Sequence, residues 1–170
     1  MVGDILLQIG LILATLFMFL VMYGIPQKAL SKIRFRNRAT FQAKRHFVQG
    51  AQLLARARSA KTPPSETTSF AQDALAEAEK AISLDPKDAA SHILKALVLD
   101  LQGYKTSALD SLDAALSPLA VKSLSDQEKG DALLRRAELK VAVSGRGRVD
   151  SAVADLVAGV KLSKENAKGV

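Results

Sequence analysis

Two stretches of this chain, SFAQDALAEAEKAISLDP (69–86) and YKTSALDSLDAALSP (104–118), superimpose at a shift of 34 residues, placing Ala74 on Ala108, Ala78 on Leu112 and Ala81 on Ala115. A third stretch, GRVDSAVADLVAGVKLSKEN (147–166), carries Ala152, Leu156 and Gly159 at the same spacing, 44 residues further on. The extra residues fall in LAVKSLSDQEK and in the longer turn SGRGR. Small residues recurring at helical spacing predict helices whose backbones approach closely. A pattern that returns at a fixed interval predicts repeated units, each too small to bury its apolar face alone.

The stops between these stretches define helix pairs. RATFQAKRHFVQGAQLLARARS reads as a first helix, and the two prolines of AKTPPSETTS read as a loop of about ten residues. A serine or threonine of TTSF is the expected N-cap of the next helix, with Asp73 and Glu77 toward its positive end. Pro86 cannot continue that helix and disfavours helical geometry at Asp85, so PKDAASHILKALVLDLQ restarts as another helix that Gly103 ends. Aromatics make up only 5% of the 170 residues and tryptophan is absent, so a packed core has to rest on Ala, Leu, Val and Ile. Ala and Leu favour helix over sheet. An all-α fold is expected.

The region from Ala89 to Pro118 resembles the tetratricopeptide repeat: small Ala96 with Leu99 in the first helix, Gly103-Tyr104 at the turn, then Ala108, Leu112 and Ala115. Pro86 stands where that family places the proline closing the preceding unit. Gly50 and Leu53 resemble the leading helix of a first unit, although the loop before Ala74 is about a dozen residues too long, and Ala137 suits a third. His92 replaces an aromatic, Lys95 an apolar residue and Lys164 a proline. The resemblance covers residues 39–165 and implies a short α-solenoid of about three units, followed by a tail at 166–170. It also implies a non-catalytic adaptor, with a protein or peptide partner docked in a groove lined by the first helices. In that register Phe47, Ile93, Leu97, Asp100, Arg135 and Glu138 face the groove. An exposed Arg135 suits a carboxylate, which it can hold through two parallel hydrogen bonds. Relatives that act as co-chaperones grip acidic chaperone tails through lysine and asparagine, but Phe47, Ala51 and Leu94 occupy those places here and only Arg135 fits.

The N-terminus is different in kind. ILLQIGLILATLFMFLVMYGI, Ile5 to Ile25, holds no charge. As a helix it would be about 31 Å long, against a hydrocarbon core of roughly 30 Å. Residues 1–27 are therefore expected to form a single transmembrane anchor that meets the lipid bilayer through 5–25, rather than a cleaved signal peptide, since no A-x-A pattern follows. From Met1 to Ser65 one acid stands against ten Lys and Arg, whereas the remainder is slightly acidic. Lys28, Lys32, Arg34, Arg36 and Arg38 form a basic juxtamembrane segment at 28–38. By the positive-inside rule this leaves the repeats in the cytosol, on the endoplasmic reticulum or an organelle outer membrane. Gln8 and Gly10 would suit contacts between spans, the basis of a competing reading as a structural accessory or assembly subunit of a membrane complex.

Chemistry finds little support. With no cysteine, disulfides, thiolate metal sites and a cysteine nucleophile are excluded. His46 and His92 fall on different helices without a catalytic signature, and the charges of DALLRRAE and ALAEAEKA fit surface pairing at i, i+3 and i, i+4. GRGR follows no strand and lacks the lysine-serine pair of a phosphate loop. No cofactor, metal or small-molecule substrate is expected. A charge split along the chain also argues against nucleic acid.

Overall fold

A computed structural model describes the backbone of residues 2–22, 25–59, 63–143 and 149–168, and the side chains of residues 3, 5–19, 38–59, 63–143 and 149–162. Among the described residues the chain is all-helical: α1 (Val2–Met22), α2 (Ile25–Ala57), α3 (Pro64–Leu84), α4 (Ala89–Leu101), α5 (Lys105–Ala115), α6 (Asp126–Val143) and α7 (Val149–Lys168), with a 3₁₀ turn at Val121–Ser123. It divides into two compact units, Met1–Ala39 and Thr40–Val170.

In the first unit the apolar side chains of α1 are exposed all round the helix, from Ile5 and Leu6 to Met18 and Phe19. Thr15 donates its hydroxyl to the Ile12 carbonyl at 2.9 Å, so its polar group is satisfied within the helix. Yet among the described residues no helix is long and apolar enough to cross a membrane. The described side chains of the expected span run from Ile5 to Phe19. The rest of the expected span, 20–25, lies outside the described side chains. This finding corrects two expectations: the transmembrane anchor, and the single-pass placement with a cytosolic C-terminal domain. Of the basic cluster, Arg38 is exposed, while the side chains of Lys28, Lys32, Arg34 and Arg36 lie outside the described residues.

The segment read as a juxtamembrane linker is helical backbone. α2 begins at Ile25 and runs for 33 residues, with Pro26 in its first turn, where a missing N–H costs nothing. The same principle revises the next boundary. Pro63 is the N-cap of α3 and Pro64 its first residue, so the two prolines expected to make a loop open a helix instead. Thr67 and Thr68 donate their hydroxyls back to the carbonyls of Pro63 and Pro64. The residues that seemed too many for a loop are the first turns of a 21-residue helix. Glu77 consequently sits in the interior of α3 rather than near its positive end.

Further on, the stops act as expected. Asp85 caps the C-terminus of α3, its N–H donating to the Ala81 carbonyl. Asp88 caps α4 by accepting from the Ser91 N–H at 3.2 Å. Gly103, at φ 85°, closes α4: its N–H donates to the Asp100 carbonyl at 3.0 Å, and that of Tyr104 to the Leu99 carbonyl at 2.9 Å. This double closure demands a left-handed residue, which glycine supplies without strain. At the start of α6, the Ser125 N–H donates to the Glu128 carboxylate at 2.8 Å, and the Glu128 N–H donates to the Ser125 hydroxyl at 3.3 Å, a reciprocal cap. The turn SGRGR lies outside the described residues. α7 extends to Lys168, into the segment expected to be a tail.

In the second unit α2 and α3 pair antiparallel, with Thr40 on Asp85 and His46 on Glu77, as do α6 and α7, with Arg136 on Asp155 and Lys140 on Ser151, while a short turn folds α5 back on α4. The repeated small residues line their seams. Ala74, Ala108 and Ala152 are buried, as are Ala81, Ala115 and Gly159. One apolar cluster joins Leu54, Ala74, Ala78, Leu94 and Val98 across α2, α3 and α4. A second joins Leu99, Ala108, Leu112 and Leu139 across α4, α5 and α6. The three stretches also share a feature that their apolar pattern hides: the residue three after each seam alanine, Glu77, Ser111 and Asp155, is polar and buried. Each is satisfied. Glu77 accepts from His46 at 2.6 Å and Lys80 at 2.7 Å. Ser111 donates to the Ser107 carbonyl. Asp155 meets Arg136 and Lys140. His46 thus belongs to the interface between α2 and α3, and His92 lies against the Pro86 carbonyl.

Close approach makes two glycines non-equivalent. A methyl group on Gly159 would lie 3.2 Å from the Gly130 carbonyl oxygen, whereas one on Gly130 would meet nothing nearer than 3.5 Å. Gly130→Ala is therefore expected to raise the thermal midpoint, through a helix-propensity gain of about 0.5–1 kcal/mol. Gly159→Ala should lose that gain to repulsion against a backbone oxygen that cannot turn away. Equal shifts for the two variants in circular-dichroism melts would contradict this packing.

Candidate functional site

The first helices of the three pairs, α2, α4 and α6, contribute matching stripes to one face. On α2 and the turn after it the stripe is Phe47, Ala51, Leu54 and Arg58; on α4, Ala90, Ile93, Leu94 and Leu97; on α6, Glu128, Asp131, Ala132 and Arg135. Spacings of three and four residues keep each set on one side of its helix. Together with Leu124 they enclose a groove of about 380 Å³. Leu54, Leu94 and Ala132 form its buried floor, while Phe47, Ala51, Ile93 and Leu97 are half-buried along the walls. Charges stand at the rim.

A smaller hollow of about 180 Å³ continues from it between α4, α5 and α6, lined in part by Leu97, Asp100, Lys105, Arg135, Glu138 and Leu139. All six residues expected to face a groove therefore line one or the other hollow. Phe47 and Ile93 belong to the larger, Asp100 and Glu138 to the smaller, and Leu97 and Arg135 to both. Sequence reasoning missed Arg58, Leu124, Glu128, Asp131 and Ala132. Arg58 was within reach, since it lies on the stripe of Phe47 three helical turns on. The signal for Glu128 was the S-x-x-E spacing from Ser125.

The rim charges differ in how far they are committed. Arg135 donates to Glu138 at 3.1 Å with both side chains about half exposed, a pair worth about 0–1 kcal/mol that an incoming carboxylate can displace cheaply. Lys105 lies 3.4 Å from Asp100 under similar exposure. Arg58 reaches the Leu97 carbonyl at 3.5 Å. Glu128 is tied up in its cap: the Ser125 backbone N–H, then the Ser125 hydroxyl, hold its carboxyl below the usual range. Phe47, Ala51 and Leu94, which stand where the chaperone-binding relatives carry lysine and asparagine, place apolar surface in the groove.

No family model, no curated protein and no solved structure matches this chain.

Proposed function

We propose that the second unit is a tetratricopeptide-like array that binds an extended segment of another protein in the groove across α2, α4 and α6, and that it acts as an adaptor without chemistry of its own. The observation carrying this reading is the apolar wall shared by Phe47, Ile93 and Leu97, bordered by Arg58 just past the end of α2 and by Arg135 on α6. An extended peptide presents alternate side chains to such a surface. Its apolar residues fill the floor, and its acidic residues take the displaceable Arg135.

Selection of random twelve-residue peptides on immobilised full-length protein tests the proposal. Enriched peptides are expected to carry apolar residues beside an acid. Their affinity should fall more than tenfold with Leu97→Glu, which places a charge on the apolar wall. Arg135→Ala should weaken the acidic peptides alone, and Asp110→Lys, at an exposed position on α5, should change nothing. Equal binding to wild type and Leu97→Glu, with helicity retained, would remove the groove from consideration.

A further inference from the structure

The outer face of α7 breaks the pattern of the earlier repeats. Ala78 and Leu112 are covered by the helix pair that follows each of them, but Leu156, at the equivalent position, is 38% exposed. Beside it Val149, Val153, Val157 and Val160 are each about half exposed or more. Their spacing of three and four residues draws one apolar stripe along the helix. The stripe continues into a hollow of about 410 Å³ between α6 and α7, where Gly130, Leu134, Gly159 and Val160 are among the lining residues.

The charges beside the stripe say what fits it. Asp150 and Lys161 are both exposed, and among the described residues neither has an ion-pair partner. They stand three turns apart and so project from the same flank of the stripe. When two identical helices pair about a two-fold axis, that flank meets its own copy running the other way. With the axis near Asp155, Asp150 meets Lys161 of the second copy and Lys161 meets its Asp150, while Val153 packs on Leu156 and Val157. A parallel two-fold pairing would carry this flank of the two copies to opposite sides of the interface and leave neither charge opposite its counterpart. We infer that the α7 face is a homodimer surface, taken by α7 of a second copy of this chain in antiparallel orientation. The inference concerns a surface separate from the peptide groove.

The absence of cysteine makes the geometry directly readable. Full-length Val149→Cys and Val160→Cys chains, kept in non-ionic detergent so that the apolar side chains of α1 do not themselves bring chains together, are oxidised with copper phenanthroline. A mixture of the two is expected to give a disulfide dimer, and each variant alone at least about fivefold less, because the antiparallel register brings 149 to 160 and separates like positions. Asp150→Lys or Lys161→Asp alone should weaken dimerisation about tenfold in sedimentation, since each change replaces two attractive pairs by two repulsive ones. The double exchange in one chain should restore it. Val157→Lys, at a position 65% exposed and so harmless to the fold, should abolish the dimer. Cross-linking equal in the single and mixed samples overturns the inference, as does indifference to the charge reversals. A monomeric chain whose Val157, carrying a photo-cross-linker in cells, captures a different polypeptide overturns it as well.

Discussion

Asp155→Ala is expected to destabilise the α6/α7 pair by about 3 kcal/mol, the scale for removing one partner from a largely buried ion pair. The Asp155 side chain is 8% exposed and holds two cations: Arg136 donates through Nε at 2.8 Å and through Nη2, and Lys140 donates at 2.7 Å. Arg136 also reaches Asp113 on α5 at 2.9 Å, which ties the last pair to the one before. Truncation leaves both cations short of an anion where water reaches them poorly. Native-state hydrogen exchange should show the loss first in the amides of α6 and α7. In a double-mutant cycle, Arg136→Ala on top of Asp155→Ala should cost clearly less than it does alone. An additive cycle would mean that the pair contributes nothing.

The same group gives an acid limb to stability. Burial raises the Asp155 carboxyl, but hydrogen bonds from Arg136 and then Lys140 outweigh that and leave it below its ordinary 3.8. Glu77 is likewise held below 4.5, first by the Lys80 hydrogen bond and then by that of His46. A depressed carboxylate stabilises the fold in full above its unfolded value and loses that contribution as pH falls through the folded one. The melting temperature should therefore stay level down to about pH 5 with respect to these groups and drop below about pH 4. Asp155→Ala should flatten that drop, and an unchanged slope would dissociate the ion pairs from the acid response.

Leu112→Ala carries the largest packing penalty, about 3–4 kcal/mol. Leu112 is 1% exposed and lies among Ala96, Leu99, Ala108, Leu109 and Leu139. The two alanines in that wall have no rotamers with which to fill the gap, so a cavity should persist. Leu156→Ala, at the equivalent position of the last pair but 38% exposed, should cost less than about 1 kcal/mol. Urea unfolding of the two variants, followed by far-UV circular dichroism, measures the contrast. Similar midpoints would show that the 34-residue correspondence does not carry over into packing.

Much of the second unit was legible because its signals are local. Pro86 and Gly103 act on their own turn of backbone, and the alanines that recur at 74, 108 and 152 mark a seam wherever helices meet. Phe47, Ile93, Leu97 and Arg135, which the tetratricopeptide register sets on one face, line one hollow. Where reasoning failed, one residue type served two opposite ends. Prolines 63 and 64 read as a loop yet open α3, since proline is as well suited to a first turn as to a break. The apolar N-terminal run shows the same ambiguity: composition measured its hydrophobicity along 5–25, but the described helix offers no stretch long and apolar enough to cross a membrane.

By itself the sequence determined that this chain is helical, where most of the helices of the second unit stop, and which small residues let them meet, because each of these depends on a few neighbouring residues. Only the tertiary structure decided which polar groups are buried, that Arg136 joins three helices, and that Leu156 is exposed while Leu112 is not. Those properties depend on what lies across from a residue in space, and a one-dimensional pattern repeats the residue without repeating its neighbours.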